Sequence, residues 1–426
     1  MEIIRYPSQE EWASIAKRPT MDVTSLFDTV RSVLDDVRNN GDDAVRRYEE
    51  KFDKVLLSEL VVSESEKEEA YGLVDESLKN AICLALKNIE TFHASQRFTG
   101  RKIETTFGVT CWQKAVAIEK VGLYVPSGTA PLFSTVLMLA VPAKIAGCKE
   151  IVLCTPPGKD GKINPAILYA AKVAGVSKVC KIGGIQAVAA MAYGTESVPK
   201  VYKIFGPGNQ YVTAAKQLVS LKDVAIDMPA GPSEVAVIAD ASANPEFIAA
   251  DFLSQAEHGK DSQAILVTVD EALIQPVCDA IKLQLSVLPR AEITAQALTN
   301  SRIILMKDKN EVMDFINYYA PEHLIIQTKD YAKLAEKVEN AGSVFMGPFT
   351  PESAGDYASG TNHTLPTNGY AHAYSGVNLD SFIKKITFQE ITAEGISKLG
   401  PTIQIMAENE QLEAHMNAVT VRLKTL

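Results

Sequence analysis

At 426 residues the chain is longer than one hydrophobic core usually organises, so two or more domains are expected. Apolar residues make up 46% of it, enough for buried cores, and a formal net charge of −10 argues against a nucleic-acid phosphate partner. The longest apolar run, 130–141, is broken by Ser134 and Thr135 and is too short for a membrane span, and the opening Met1-Glu-Ile-Ile-Arg5 lacks the apolar core of a signal peptide.

Residues 26–52 and 64–98 place apolar side chains three and four apart among charges, which predicts helices, with Gly41-Asp42-Asp43 breaking the first. From about residue 117 short β-branched runs alternate with helical patterns. Strands are predicted at 121–125, 151–154, 178–182 and 201–205, each followed by a helix, at 137–146, 165–174, 185–193 and 210–221. After Gly231-Pro232 the rhythm resumes, with strands at 235–238, 264–269, 303–306 and 324–327 and helices at 245–258, 271–284, 311–319 and 332–340. Such alternation predicts an α/β protein with two doubly wound, incomplete Rossmann-like domains built on parallel sheets. The stretch from about Ser375 reads as helix with an amphipathic end at 411–423. The expected organisation is an N-terminal segment 1–22 and a discontinuous first α/β domain of 23–123 and 232–373. The second α/β domain is 124–231, and a helical C-terminal segment covers 374–426. The loop from Asp227 to Ser233 is the candidate hinge.

Six cysteines, at 83, 111, 148, 154, 180 and 278, form no CxxC pair and no zinc-finger spacing, and read as reduced thiols of a cytoplasmic protein. The chain's six histidines are more informative. Gln255 and His258 fall in the last turn of one predicted helix, three residues apart on one face, which is metal-ligand spacing. An ordinary helix C-terminus explains that pair equally simply, and taken alone is preferred. Pro321 forces Ala320 out of helical geometry, so Glu322 and His323 sit at a turn before a strand. They are either two proton acceptors, one for water and one for a hydroxyl, or an ordinary polar turn. Asp356 and His363 share a long glycine-flanked loop that is either functional or solvated. His415 lies on the amphipathic C-terminal helix, five residues after Glu410, where a lone histidine is normally a surface or interface residue. His93 and His372 have no partner pattern and read as structural. Gln255, His258, Asp356 and His415 together form a mixed N/O set of the kind catalytic zinc accepts. Phe205-Gly206-Pro-Gly208-Asn209 and Tyr124-Val-Pro-Ser-Gly128 follow strands, where backbone N–H groups can meet phosphate, but neither is a full GxGxxG.

Longer motifs carry a resemblance. Val121-Gly-Leu-Tyr-Val-Pro-Ser-Gly-Thr-Ala-Pro-Leu-Phe-Ser-Thr-Val, Phe205-Gly-Pro-Gly-Asn, Asp227-Met-Pro-Ala-Gly-Pro-Ser-Glu, Leu253-Ser-Gln-Ala-Glu-His-Gly, Ala320-Pro-Glu-His-Leu, Ser359-Gly-Thr-Asn-His and Ala414-His-Met-Asn-Ala-Val stand in this order over nearly the whole chain. In these the chain resembles the histidinol dehydrogenases, departing only peripherally, as at Ser127. The resemblance implies oxidation of L-histidinol by two NAD⁺ to L-histidine through bound L-histidinal, the last step of histidine biosynthesis. It implies one Zn²⁺ per subunit on Gln255, His258, Asp356 and His415. Glu322 and His323 are then the acid/base pair, and Tyr124, Gln186 and Asn209 contact NAD. Ser233, Gln255, His258, His323, Asp356, His363, Glu410 and His415 are the expected substrate contacts. The resemblance also implies a cytoplasmic homodimer with shared active sites, His415 and Glu410 reaching across on the C-terminal segment. A zinc hydrolase using Glu322 on water is the main rival, separated by production of NADH from histidinol; a non-enzymatic nucleotide-binding or scaffold protein is the second, and would keep its function without His323.

Overall fold

Two parallel sheets with one strand order organise the molecule. The structure, a computed structural model, describes residues 1–19, 23–127, 130–229 and 231–426. Gly128 of the first glycine loop, Ala230 of the hinge and the boundary expected at residue 22 lie outside the described residues. The strands in chain order are β1 (Glu2–Arg5), β2 (Ile103–Thr106), β3 (Val109–Ala117), β4 (Lys120–Tyr124), β5 (Glu150–Thr155), β6 (Lys178–Lys181) and β7 (Lys203–Phe205). They continue with β8 (Ala225–Ile226), β9 (Glu234–Ala239), β10 (Gln263–Thr268), β11 (Arg302–Leu305), β12 (His323–Gln327), β13 (Ser343–Met346) and β14 (Ile383–Ile391).

The five-stranded sheet runs β6-β5-β4-β7-β8, all parallel. Its first strand is central, the next two lie to one side and the last two to the other. The six-stranded sheet, β1-β11-β10-β9-β12-β13, repeats that order from β9 onward and adds β1 at its edge. Central strands such as β9 and β10 are buried along their whole length, which is why they read as unbroken Val/Ile/Ala runs rather than alternations. This is the α/β architecture expected, with both sheets doubly wound.

The grouping of the helices differs from the expectation that joined 23–123 to 232–373. Val30, Val33, Leu34 and Val37 of the helix Phe27–Tyr48 pack with Ile185, Val188 and Met191, and Ile82 and Ile89 of Glu76–Ala94 pack with Val136 and Leu139. The N-terminal helices therefore pack on the five-stranded sheet's side of the molecule, where their apolar stripes are buried against its helices. Gly41 kinks the first helix, with φ 51° and ψ −134°, and Asp42 N–H beyond the kink donates to Glu196 at 2.8 Å.

The sequence also predicted no strand between residues 98 and 120, and predicted helix from Ser375. Instead β14, β3 and β2 form a three-stranded antiparallel sheet, with Ile383 opposite Ala117 and Ile391 opposite Val109. Most of β14 is exposed, so no inward-outward alternation marks it. Its strand identity comes from a partner far away in the chain. The helices Ala393–Asn409 and Glu413–Leu423 follow it and pack on each other. Among the described residues no helix is long and apolar enough to cross a membrane. The apolar run at 130–141 lies largely in the buried helix Phe133–Ala146.

Candidate active site

The carboxyl ends of the five-stranded sheet face the amino ends of the six-stranded sheet, and a cavity of about 160 Å³ lies between them. Gly206 and Pro207, just past β7, line one side; Ser233, Glu322 and His323, at the starts of β9 and β12, line the other. In doubly wound sheets ligands normally collect at carboxyl ends. Here the six-stranded sheet contributes its amino ends. The helix Pro245–Ala256 leaves the top of β9, runs back down, and returns Gln255 and His258 to that level. Asn244 starts this helix by accepting from Glu246 N–H, and Pro245 fits the first helical position.

At the start of β12, Ala320 adopts the left-handed region (φ 50°, ψ 66°) and ends the preceding helix, so Pro321-Glu322-His323 turns sharply into the strand. Glu322 is buried and its Oε2 accepts from Glu234 N–H at 2.9 Å. His323 is buried too. Its Nδ1 lies 3.3 Å from the Glu234 carbonyl, and its Nε2 has no hydrogen-bond partner, with the nearest Asp356 oxygen at 3.6 Å. In the amide orientation that satisfies its neighbours, Gln255 donates to Glu352 and accepts from Glu234 N–H at 2.6 Å. His363 bridges Asp356 O at 2.9 Å and Thr135 Oγ1 at 3.0 Å.

Negative charge dominates this centre. Glu322 Oε2 and Glu352 Oε1 lie 3.6 Å and 3.8 Å from His323 Nδ1. Burial pushes Glu322 up to about 8 despite the pull of His323, and lifts Glu352 well above the carboxylate range. Burial would lower His323, but the carboxylates of Glu352 and Glu322, with Asp356, overcome it and push it up to about 10. Burial would raise Asp356, yet its pairing with His323 holds it below the ordinary value. Desolvation in the packed site lowers His363, and lowers His258 as well although part of that residue remains exposed.

This donor set fits a divalent cation. Ligand atoms of His258, Glu352 and Asp356 all lie within 4.8 Å of one another, and the Gln255 amide touches Glu352. Three carboxylates converging on one imidazole call for a compensating positive charge, and oxygen plus imidazole donors suit zinc. Of the expected ligands the structure brings Gln255, His258 and Asp356 to this cavity. His415 and Glu410 do not line it; both are exposed on the C-terminal helical hairpin. Glu352 is the member that sequence reasoning missed. Its spacing of four from Asp356 on one short helix was the available signal. Ser233 and His363 line the cavity, and a buried Lys216–Asp227 ion pair, not anticipated, lines it too.

The three residues expected to contact NAD gather at the carboxyl ends of the five-stranded sheet, outside this cavity. Tyr124 ends β4 and its hydroxyl accepts from Gly184 N–H at 3.2 Å. Gln186 donates to Glu49 at 2.8 Å and to Asp53 at 3.3 Å. Asn209 follows the glycine turn after β7 and caps the helix Gln210–Ser220. Glu49 was not singled out by its sequence, which reads as part of a charged helix face. Burial, with Asp53 close by, pushes it up to about 7.

Comparison with known proteins agrees with this architecture. The family model for histidinol dehydrogenase matches residues 16–423. The chain is 68% identical over 426 residues to the histidinol dehydrogenase of Bacteroides thetaiotaomicron, covering 100% of both chains. It is 54% identical to the chloroplastic enzyme of Arabidopsis thaliana, over 98% of this chain and 90% of that protein. The crystal structure of histidinol dehydrogenase from Elizabethkingia anophelis superimposes with a TM-score of 0.98 at 55% identity, covering 100% of this chain and 98% of that one. With a family model matched over nearly all its length and relatives this similar along the whole chain, the chain belongs to the histidinol dehydrogenase family.

Proposed function

We propose that this protein is an NAD-linked, zinc-dependent oxidoreductase that converts L-histidinol to L-histidine in two successive oxidations, with L-histidinal held between them. The observation that carries this is the meeting of Glu322 and His323 with the His258–Glu352–Asp356 cluster at one cavity. Gln255, His258 and Asp356, with Glu352 beside them, would hold the metal. Bound zinc supplies a template for the imidazole and amine of the substrate, and bound NAD⁺ supplies the hydride acceptor.

The chain's own groups divide the proton work. The Glu234 carbonyl beside His323 Nδ1 favours a proton on that nitrogen. With a cation in the cluster to offset the carboxylates that push the ring up to about 10, the partnerless Nε2 would be free as the acceptor. Nε2 takes the hydroxyl proton of histidinol, releases it to solvent, and later takes the hydroxyl proton of the hydrated aldehyde. Glu322, buried, lining the cavity and pushed up to about 8, would be ionised by the same nearby cation and would then take a proton from the water that attacks the aldehyde carbon. Ser233 and His363 bound the pocket around the substrate.

Two expected outcomes test this. Glu322→Gln should spare oxidation of histidinol to the aldehyde and slow the histidinal step by about 100-fold or more, since only that step needs activated water. Single-turnover NADH formation from each substrate measures the two halves, and equal losses would refute the assignment. A chelator should bring turnover to background while the far-UV circular dichroism stays native, because the cluster sits on elements already fixed by two apolar cores. Unfolding in step with metal loss would argue for a structural metal instead.

The shared-site homodimer belongs to the same proposal. The C-terminal hairpin leaves Ile405, Met406 and Leu412 exposed, beside Glu410 and His415. An apolar surface of that kind is suited to cover by a second copy, which would carry Glu410 and His415 to the partner's cavity. A cytoplasmic location fits six free cysteines.

A further inference from the structure

We infer that Arg18, from the N-terminal segment, is a positioning residue for the reaction: it clamps the turn that presents Glu322 and His323. The inference rests on the acid/base roles proposed above.

The Arg18 side chain is only 11% exposed. Its Nε and one terminal nitrogen each donate to an oxygen of Glu234, a two-pronged pair of the kind only a planar guanidinium makes. The same terminal nitrogen donates to the carbonyls of Tyr319 and Ala320, the latter at 3.3 Å. The guanidinium carbon stacks 3.9 Å from the centre of the Tyr319 ring.

Those two carbonyls belong to a strained turn. Ala320 is a non-glycine residue in the left-handed region, directly before Pro321. Such a conformation is disfavoured and persists only where its surroundings hold it. Proline cannot help, since it has no N–H to donate. Glu234, the other end of the clamp, touches both reacting groups. Its N–H donates to Glu322 Oε2 at 2.9 Å, its side chain accepts from Glu322 N–H at 3.3 Å, and its carbonyl meets His323 Nδ1 at 3.3 Å. One cation thus holds the backbone of the turn and the residue that aims both side chains. It also compensates a buried carboxylate next to Glu322. The segment bearing it is itself pinned. Lys17 O accepts from Gln263 and Arg302, both at 3.2 Å.

Arg18→Lys keeps the charge but loses the fork. It should lower kcat by about 100-fold, the scale of an ångström-sized misplacement, and leave KM for histidinol within a few-fold because Arg18 does not line the cavity. Rates are taken per folded protein, measured by circular dichroism. Should the lysine variant fold poorly, Arg18→Ala assayed with millimolar guanidinium replaces it, and kcat should rise with the added cation at constant circular dichroism. His323→Asn run in parallel separates the two ideas. If it keeps normal turnover, the acid/base roles fail and the clamp with them. If it loses turnover while folded Arg18→Lys retains wild-type kcat, the clamp alone is overturned. A loss confined to KM, or an Arg18→Ala kcat indifferent to guanidinium, overturns it as well.

Discussion

His323→Asn is expected to lower turnover about 1,000-fold with L-histidinol and with L-histidinal alike, the size of a lost general base. The His323 Nε2 is buried at the cavity without a hydrogen-bond partner, as is the Thr364 hydroxyl, and of the two only the imidazole nitrogen is basic enough to take a proton near neutral pH. Asparagine can still donate to the Glu234 carbonyl that now meets Nδ1, so the fold of β12 should survive. The two-substrate comparison carries the test. Glu322→Gln should slow one half-reaction and His323→Asn both. A His323→Asn enzyme that oxidised either substrate at near-normal rate would place the base elsewhere.

Truncation before Asn409 is expected to abolish metal binding and activity together, if His415 and Glu410 complete a neighbouring subunit's site. Within one chain both residues are exposed and neither reaches the cavity, so a site built wholly in cis would not notice their loss. Complementation is the sharper measurement. A His258→Ala chain and a His415→Ala chain should each be inactive. Co-expressed, they form heterodimers in which one site collects both changes and the other neither. Random pairing then restores about a quarter of wild-type activity, from half the dimers with one of two sites intact. Differential tags confirm the heterodimers and metal content per dimer should follow activity. Tagged heterodimers that stay inactive would mean that each site is built within one chain.

The two halves of the fold were legible because their central strands are continuous apolar runs and their helices are capped by residues such as Asn164, Asn244 and Asp270. The antiparallel sheet was not. Ile383-Lys-Lys-Ile-Thr-Phe-Gln-Glu-Ile391 has β-branched and aromatic residues, but with most of the strand exposed no burial pattern marks it. Only pairing with β3 makes it a strand. Edge strand β1 was missed for a similar reason: its register is set by β11, on the far side of the chain.

For the site, local sequence placed Gln255 and His258 on one helical turn and Glu322 and His323 at a forced turn, because both patterns are written within a few residues, but it left an ordinary structural reading of each pair open and their roles to the resemblance. Asp356 stood in a long glycine-flanked loop that read as either functional or solvated, and only the resemblance made it a ligand. Local sequence could not say that Glu352 would lie beside His258 and Asp356, that Arg18 would reach Glu234, or that Glu49 would be buried behind Gln186. Those three acidic or basic residues look like any other surface charge until the chain folds. Their roles come from burial and from partners distant in sequence. Desolvation and nearby charge then change what a carboxylate or guanidinium does, and only the tertiary structure sets either.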